Sequence, residues 1–229
     1  MSLSPFTSGC SPNGLKPFYT IRSKTDTMTS MARPRTFDEE TVIEAALGQF
    51  RTTGYSGTSL DDLVKATGLA KASIYNAFGD KHTLYIRAFE SYCSAVVDTL
   101  SEELDGSDEA AADRLQGLIR RIADTAGTTS SPPISCFLSK ATAELAARDP
   151  EVACLAQRAF QQIEDVLTEA ISAAQRARAG SASPDSRSTA RHILVALRGL
   201  EALAAAGVNR TVLADAARSV TQLTLNVAG

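Results

Sequence analysis

Tryptophan is missing from this chain, and aromatic residues of all kinds occupy only 6% of its 229 positions. The four cysteines, Cys10, Cys93, Cys136 and Cys154, form no C-x-x-C pair, and His82 and His192 are the only histidines. Zinc sites draw closely spaced Cys and His ligands, so neither a metal nor a cofactor is expected. No Ser/His/Asp set and no glycine-rich phosphate loop supports catalysis. No apolar run approaches the ~20 residues that cross a bilayer. Charge of one sign is not in excess either: 23 Lys and Arg face 26 Asp and Glu, a net charge of −3. That balance does not advertise a nucleic-acid partner, although a basic face can exist locally. No stretch shows the period-two alternation of a strand.

What is present is helical. Hydrophobic residues make up 44% of the chain, enough for a packed core, and alanine, the best helix former, is abundant beyond Ala110. The stripe Val42, Ile43, Ala46, Leu47, Phe50 predicts a first helix from about Asp38 to Gly54. Eight more follow, over about 59–66, 71–77, 80–104, 109–125, 135–147, 150–177, 186–206 and 211–227. The expected fold is all-α with about nine helices. Residues 1–32 lack periodicity, are rich in Ser, Thr, Pro and Gly, and read as a disordered tail. Lys16, Arg22 and Lys24 make that tail basic, and it faintly suggests a transit peptide without the amphipathic helix. A start assigned too early, with Met28 or Met31 the beginning, is the preferred account.

The stretch from Thr58 to Lys81, TSLDDLVKATGLAKASIYNAFGDK, has the pattern of a helix-turn-helix. Thr58 or Ser59 caps the first helix, with Asp61 or Asp62 three residues on. Gly68 supplies a left-handed turn. Leu60, Leu63, Val64, Leu69, Ile74 and Phe78 form an apolar set that holds the second helix across the first. The open face of the second helix then carries Lys71, Ala72, Ser73, Tyr75 and Asn76. Lysine donates to guanine, asparagine pairs with adenine, and alanine touches a thymine methyl. Tyr75, Ser73 and Lys81 are suited to phosphates, which set register rather than sequence. Arg33 and Arg35 precede the first helix, either as an arm for the minor groove or as solvated linker charges.

The order of residues from Phe37 to Lys81 resembles the N-terminal domain of the TetR/AcrR family of transcriptional regulators. The matching residues are the first-helix stripe with Gly54 and Tyr55, the Thr58-Ser59-Leu60 start, Gly68-Leu69, Ile74 to Phe78, and Lys81 with Leu84. The resemblance implies a DNA-binding domain over 33–82 and a sensing and dimerisation domain over 83–229. It implies a homodimer that binds a palindromic operator in double-stranded DNA, usually represses, and is released by a small-molecule or thiol-reactive effector. By position, Thr58, Ser59 and Lys81 fall where the family contacts phosphates. Asp61 stands where some members have a basic residue that reaches a base. The family and the thiols together fit a cytoplasmic protein with no membrane partner.

The last two helices carry apolar stripes, Ile193, Ala196, Leu197, Leu200, Leu203 and Ala204, then Leu213, Ala216, Val220, Leu223 and Val227. They fit a four-helix bundle between two copies, with an intrachain core as the alternative. Ser135 to Leu138 is similar to the Gly-Cys-Leu-Leu element of one branch of the family, and Asp149 to Val152 matches a later run of that branch. Some members of that branch use this cysteine to sense electrophiles or oxidants. Cys136 at a helix N-terminus, with Lys140 one turn on, has the setting of an activated thiol. A buried, inert cysteine is the other reading. Phe137 and Phe160 read as core or pocket wall, and Cys93 and Cys154 as packing residues. The leading function is a ligand-responsive DNA-binding regulator. The alternative is a helical adaptor or enzyme with a hairpin-like N-terminus.

Overall fold

The computed structural model describes residues 37–125, 136–178 and 185–225. Nine α-helices and no strand occur among the described residues. They are α1 (Glu39–Thr53), α2 (Leu60–Thr67), α3 (Lys71–Phe78), α4 (Lys81–Leu104), α5 (Ala111–Thr125), α6 (Cys136–Leu145), α7 (Pro150–Ala177), α8 (Ser186–Ala205) and α9 (Arg210–Leu225), with a 3-10 turn, Asp108–Ala110, before α5. The expected tail, 1–32, lies outside the described residues. No described helix is long and apolar enough to cross a membrane.

Local chemistry explains the boundaries. Glu39 and Glu40 occupy the first turn of α1, where carboxylates face the positive end of the helix dipole. Val42, Ala46 and Phe50 bury one face of α1 at i, i+4 spacing. Gly54 then ends the helix with φ +76°, a left-handed conformation that only glycine adopts cheaply. Asp149 caps α7 by accepting from the amides of Glu151 and Val152 at 3.0 and 3.2 Å, and Pro150 fills the first helical position.

The body is built on α4 and α7, which pack along each other. The α8 helix lies on α7, and α9 lies on α5 and α8. The largest buried side chains where α1, α4 and α6 meet are aromatic: Phe50, Tyr85, Phe89 and Phe137. Their rings meet edge-on, Phe50 with Tyr85 at 4.9 Å and Phe89 with Phe137 at 5.7 Å, so this scarce residue type is concentrated at one junction. The near-buried Glu164 of α7 is paired twice, to Arg187 at 2.7 Å and Arg191 at 3.1 Å of α8.

The two readings of the C-terminal stripes divide between faces. Ile193, Leu197, Leu200, Ala204 and Leu213 are buried within the chain. Val195, Leu203, Val212 and Leu223 are exposed, Leu223 to 81% and Val195 to 72%. An intrachain core therefore takes the strongest stripe, and a second apolar face, offset around the same helices, points to solvent.

Candidate nucleic-acid interface

Ser59 begins the hairpin with a reciprocal cap. Its hydroxyl accepts from the Asp62 amide at 3.2 Å, and its own amide donates to the Asp62 carboxylate at 2.9 Å. Hydrogen bonds from Ser59 hold the Asp62 carboxyl below the usual carboxylate range. Gly68, at φ +70°, closes α2 by donating to the Val64 carbonyl. Leu63 of α2 and Ile74 and Phe78 of α3 are buried. That apolar back turns the opposite side of α3 outward.

Lys71, Ala72, Tyr75 and Asn76 are exposed on that side, and Ser73 is half-buried at its edge. Tyr75 is 50% exposed, an unusual placement for a large aromatic in a chain that has few. No side chain caps α3, because Ala70 holds the N-cap position. Lys71 forms an ion pair with Asp61 of α2 at 2.8 Å. Both side chains are more than half exposed, so the pair is weak and easily exchanged for another anion.

Two residues expected at phosphates are turned inward. Thr58 is 1% exposed; its hydroxyl donates to the Gly54 carbonyl at 2.6 Å and lies 2.6 Å from the Thr53 hydroxyl. It closes the α1–α2 turn and does not reach solvent. The Lys81 ammonium donates to the carbonyls of Tyr55 at 2.9 Å and Thr58 at 2.8 Å, and lies over the Tyr55 ring at 4.2 Å. Its charge is spent on fastening that turn to the start of α4. Sequence periodicity places both residues beside the reading helix, but only packing shows which way they point. Arg33 and Arg35 lie outside the described residues.

The expected sensing residues also separate. Phe137 is buried in the aromatic junction, 5.3 Å from the Tyr92 ring and 5.8 Å from that of Tyr85. Lys140 does not lie against a thiol's surroundings alone: its ammonium donates to the carbonyls of Arg51 and Thr52, at 3.1 and 2.9 Å, at the end of α1. Phe160 is half-buried on α7. Cys136 opens α6, and its side chain lies outside the described residues. Cys93 is a buried free thiol whose pKa burial pushes up to about 12, which makes it inert. Cys154 is disulfide-bonded, so the reading of it as a packing thiol is corrected.

Three residues were missed. Glu144 of α6 accepts the amides of Tyr55 at 3.0 Å and Ser56 at 2.7 Å. Arg198 and Glu201 of α8 form a buried pair, 3.1 Å apart. Glu201 falls four residues after Leu197 and eight after Ile193, on the apolar stripe itself, which is a legible signal. Glu144 carries none, because its partners are backbone groups of a distant turn.

The hairpin and first helix match the family described as "Bacterial regulatory proteins, tetR family" over residues 42–88. The chain is 30% identical to the uncharacterized HTH-type transcriptional regulator YezE of Bacillus subtilis strain 168 over 140 residues, 60% of this chain and 70% of that one. It is 28% identical over 109 residues to the HTH-type transcriptional repressor ComR of Escherichia coli strain K12, 48% of this chain and 51% of that one. Its fold is similar to that of a cysteine-substituted TetR family regulator, CifR, solved with a 26-base-pair double-strand operator DNA. The TM-score is 0.69 and the identity 23%, over 83% of this chain and 98% of that one.

Proposed function

Because this chain belongs to the tetR family and is a DNA-binding transcriptional regulator, we propose that it represses as a homodimer on a palindromic operator and leaves it when an effector binds. The exposed α3 face carries this reading. Lys71 and Asn76 are donors suited to base edges, Ala72 offers a methyl contact, and Tyr75 and Ser73 offer hydroxyls to phosphate. On approach to DNA, a phosphate or guanine acceptor replaces Asp61 as the partner of Lys71. Repression is supported by the similarity to ComR, which is a repressor. A palindrome needs two-fold symmetry, and the exposed apolar face of Val195, Leu203, Val212 and Leu223 suits a second copy of the chain.

Release has a mechanical basis in α6. Lys140 and Glu144 tie this helix to the last carbonyls of α1 and the first amides of the following turn. Ser139, on the same helix, donates to Glu201 of α8 at 3.2 Å. A shift of α6 is therefore passed to the hairpin through hydrogen bonds at both ends. An effector that prefers the shifted state lowers the population whose α3 helices fit successive major grooves.

The test is binding to the DNA upstream of the chain's own gene by fluorescence anisotropy. Lys71→Ala should weaken specific binding roughly 5- to 100-fold, the range for losing one base contact. Tyr75→Ala should weaken specific and non-specific binding alike. Undiminished binding by both variants would remove α3 as the reading element. Treating wild type and Cys136→Ser with an electrophile, and following operator release, tests the thiol route: equal release excludes Cys136 as the switch.

A further inference from the structure

A narrow cavity of about 40 Å³ lies among α4, α5, α7 and α8. Val96, Leu100, Leu118, Ile163 and Leu197 line it, and Arg198 is the polar member of its inner wall. Arg121 and Glu103, which also line it, are ion-paired to each other and partly exposed. Behind Arg198 stands Glu201, buried to 5% exposure. Arg198 Nη1 and Glu201 Oε2 are 3.1 Å apart, close enough for charge attraction but not aligned as a hydrogen bond. Three buried polar atoms are left without a hydrogen-bond partner: Nε and Nη1 of Arg198 and Oε1 of Glu201.

Buried donors and acceptors in native proteins are nearly always matched, and an unmatched set carries a standing cost. Two leucines would fill this space more stably than a misaligned ion pair. The unmatched atoms also specify what would complete them. The donors need an acceptor, the carboxylate oxygen needs a donor, and the walls need apolar surface. The pair is neutral as a unit, so a ligand with a net charge would bring an uncompensated charge into a dry site. Burial already pushes both partners toward their neutral forms, Arg198 downward and Glu201 upward.

We propose that this cavity is the effector site, and that its ligand is an uncharged apolar molecule with one hydroxyl or carboxamide that accepts from Arg198 and donates to Glu201. The assignment rests on the reading of the chain as an effector-released regulator. It supplies that reading with a route. Val96 and Leu100 belong to α4, which begins at the hairpin, and Glu201 takes a hydrogen bond from Ser139 of α6. A ligand that recruits Glu201 competes with Ser139 and frees the helix that holds the α1–α2 turn.

The experiment uses isobutyramide, isobutanol and isobutyrate, one skeleton with three head groups, against the full-length protein on its operator. Methyl NMR signals of Val96, Leu100, Leu118, Ile163 and Leu197 report occupancy, and anisotropy reports release. The amide and the alcohol should shift these methyls and release DNA at concentrations at least about tenfold below the carboxylate, the factor that ~1.4 kcal/mol of discrimination gives. Arg198→Met combined with Glu201→Gln, checked for folding by circular dichroism, should abolish that preference. Equal or tighter binding of isobutyrate would overturn the ligand class. Methyl signals unmoved by all three would overturn the site. Methyl shifts without release would uphold the ligand and site, and count instead against the effector reading beneath them.

Discussion

The carboxylate of Glu144 in α6 accepts the backbone amide of Ser56 at 2.7 Å, joining residues 88 positions apart. With the second bond, from Tyr55 at 3.0 Å, it holds the loop that precedes the reading hairpin. Gly54 completes the fit: a Cβ there would stand 2.6 Å from Glu144 Oε2, so the chain is bare of a side chain where the carboxylate arrives.

Glu144→Gln should destabilise the fold by about 1 kcal/mol, the scale of a partly exposed charge-assisted bond. Burial raises the Glu144 carboxyl, but the hydrogen bonds from Ser56 and Tyr55 and the charge of Lys140 outweigh it and hold the group below its ordinary value. A lowered folded pKa means the contribution is complete above the unfolded glutamate value, about 4.3, and is lost as pH falls through the lowered one. Urea melts of wild type and variant should differ at neutral pH and converge in acid.

Gly54→Ala should cost more, about 2–3 kcal/mol, since it adds left-handed strain to the loss of the Glu144 contact. Thermal melts measure it. Combined with Glu144→Ala, which clears the space, the substitution should cost only its backbone strain. Additive losses in that double variant would show that the two residues do not meet.

Thr58→Val keeps the shape and removes a buried hydroxyl that serves the Gly54 carbonyl. A stability loss of about 1–2 kcal/mol is expected from the stranded acceptor. Operator affinity of the folded protein should not change. A selective loss of DNA binding, with stability intact, would return Thr58 to the phosphate-contacting set.

Asp61→Asn releases Lys71 from its ion pair. DNA affinity should rise several-fold at low salt, with a steeper salt dependence, because a freed lysine replaces one more counterion at the phosphates. The comparison is a salt titration of wild type and variant on one operator fragment. Identical slopes would mean that Lys71 is already free of Asp61 when it meets DNA.

Leu203→Glu and Val195→Glu place charges on the exposed apolar face while leaving the buried stripe of α8 untouched. Sedimentation should find monomers with full helical content and operator affinity reduced by two orders of magnitude or more, since each half-site would be held alone. Dimers that persist in both variants would put the interface elsewhere.

The positions of the helices were legible in the sequence because their determinants are local. Asp80 accepts the Thr83 amide at 2.7 Å, Asp149 and Pro150 open α7, and Gly54 and Gly68 stop α1 and α2, all through residues within one turn of the boundary. The open face of α3 was legible for the same reason, since Ile74 and Phe78 set its back by helical spacing. Thr58 and Lys81 were not, because their direction depends on carbonyls that the fold brings to them. The C-terminal stripes stated that two faces were apolar but not which one the chain would cover itself.

By itself, then, the sequence determined an all-α chain with a DNA-reading hairpin and the register of its exposed residues, through periodicity and capping that act over three or four positions. The tertiary structure alone decided which polar groups remain free for DNA, that α6 ties the hairpin to the body, and that Arg198 and Glu201 meet unmatched beside a cavity. Those outcomes depend on contacts between residues far apart in the chain, and a buried polar atom acquires its meaning only from what packing places, or fails to place, within hydrogen-bond reach.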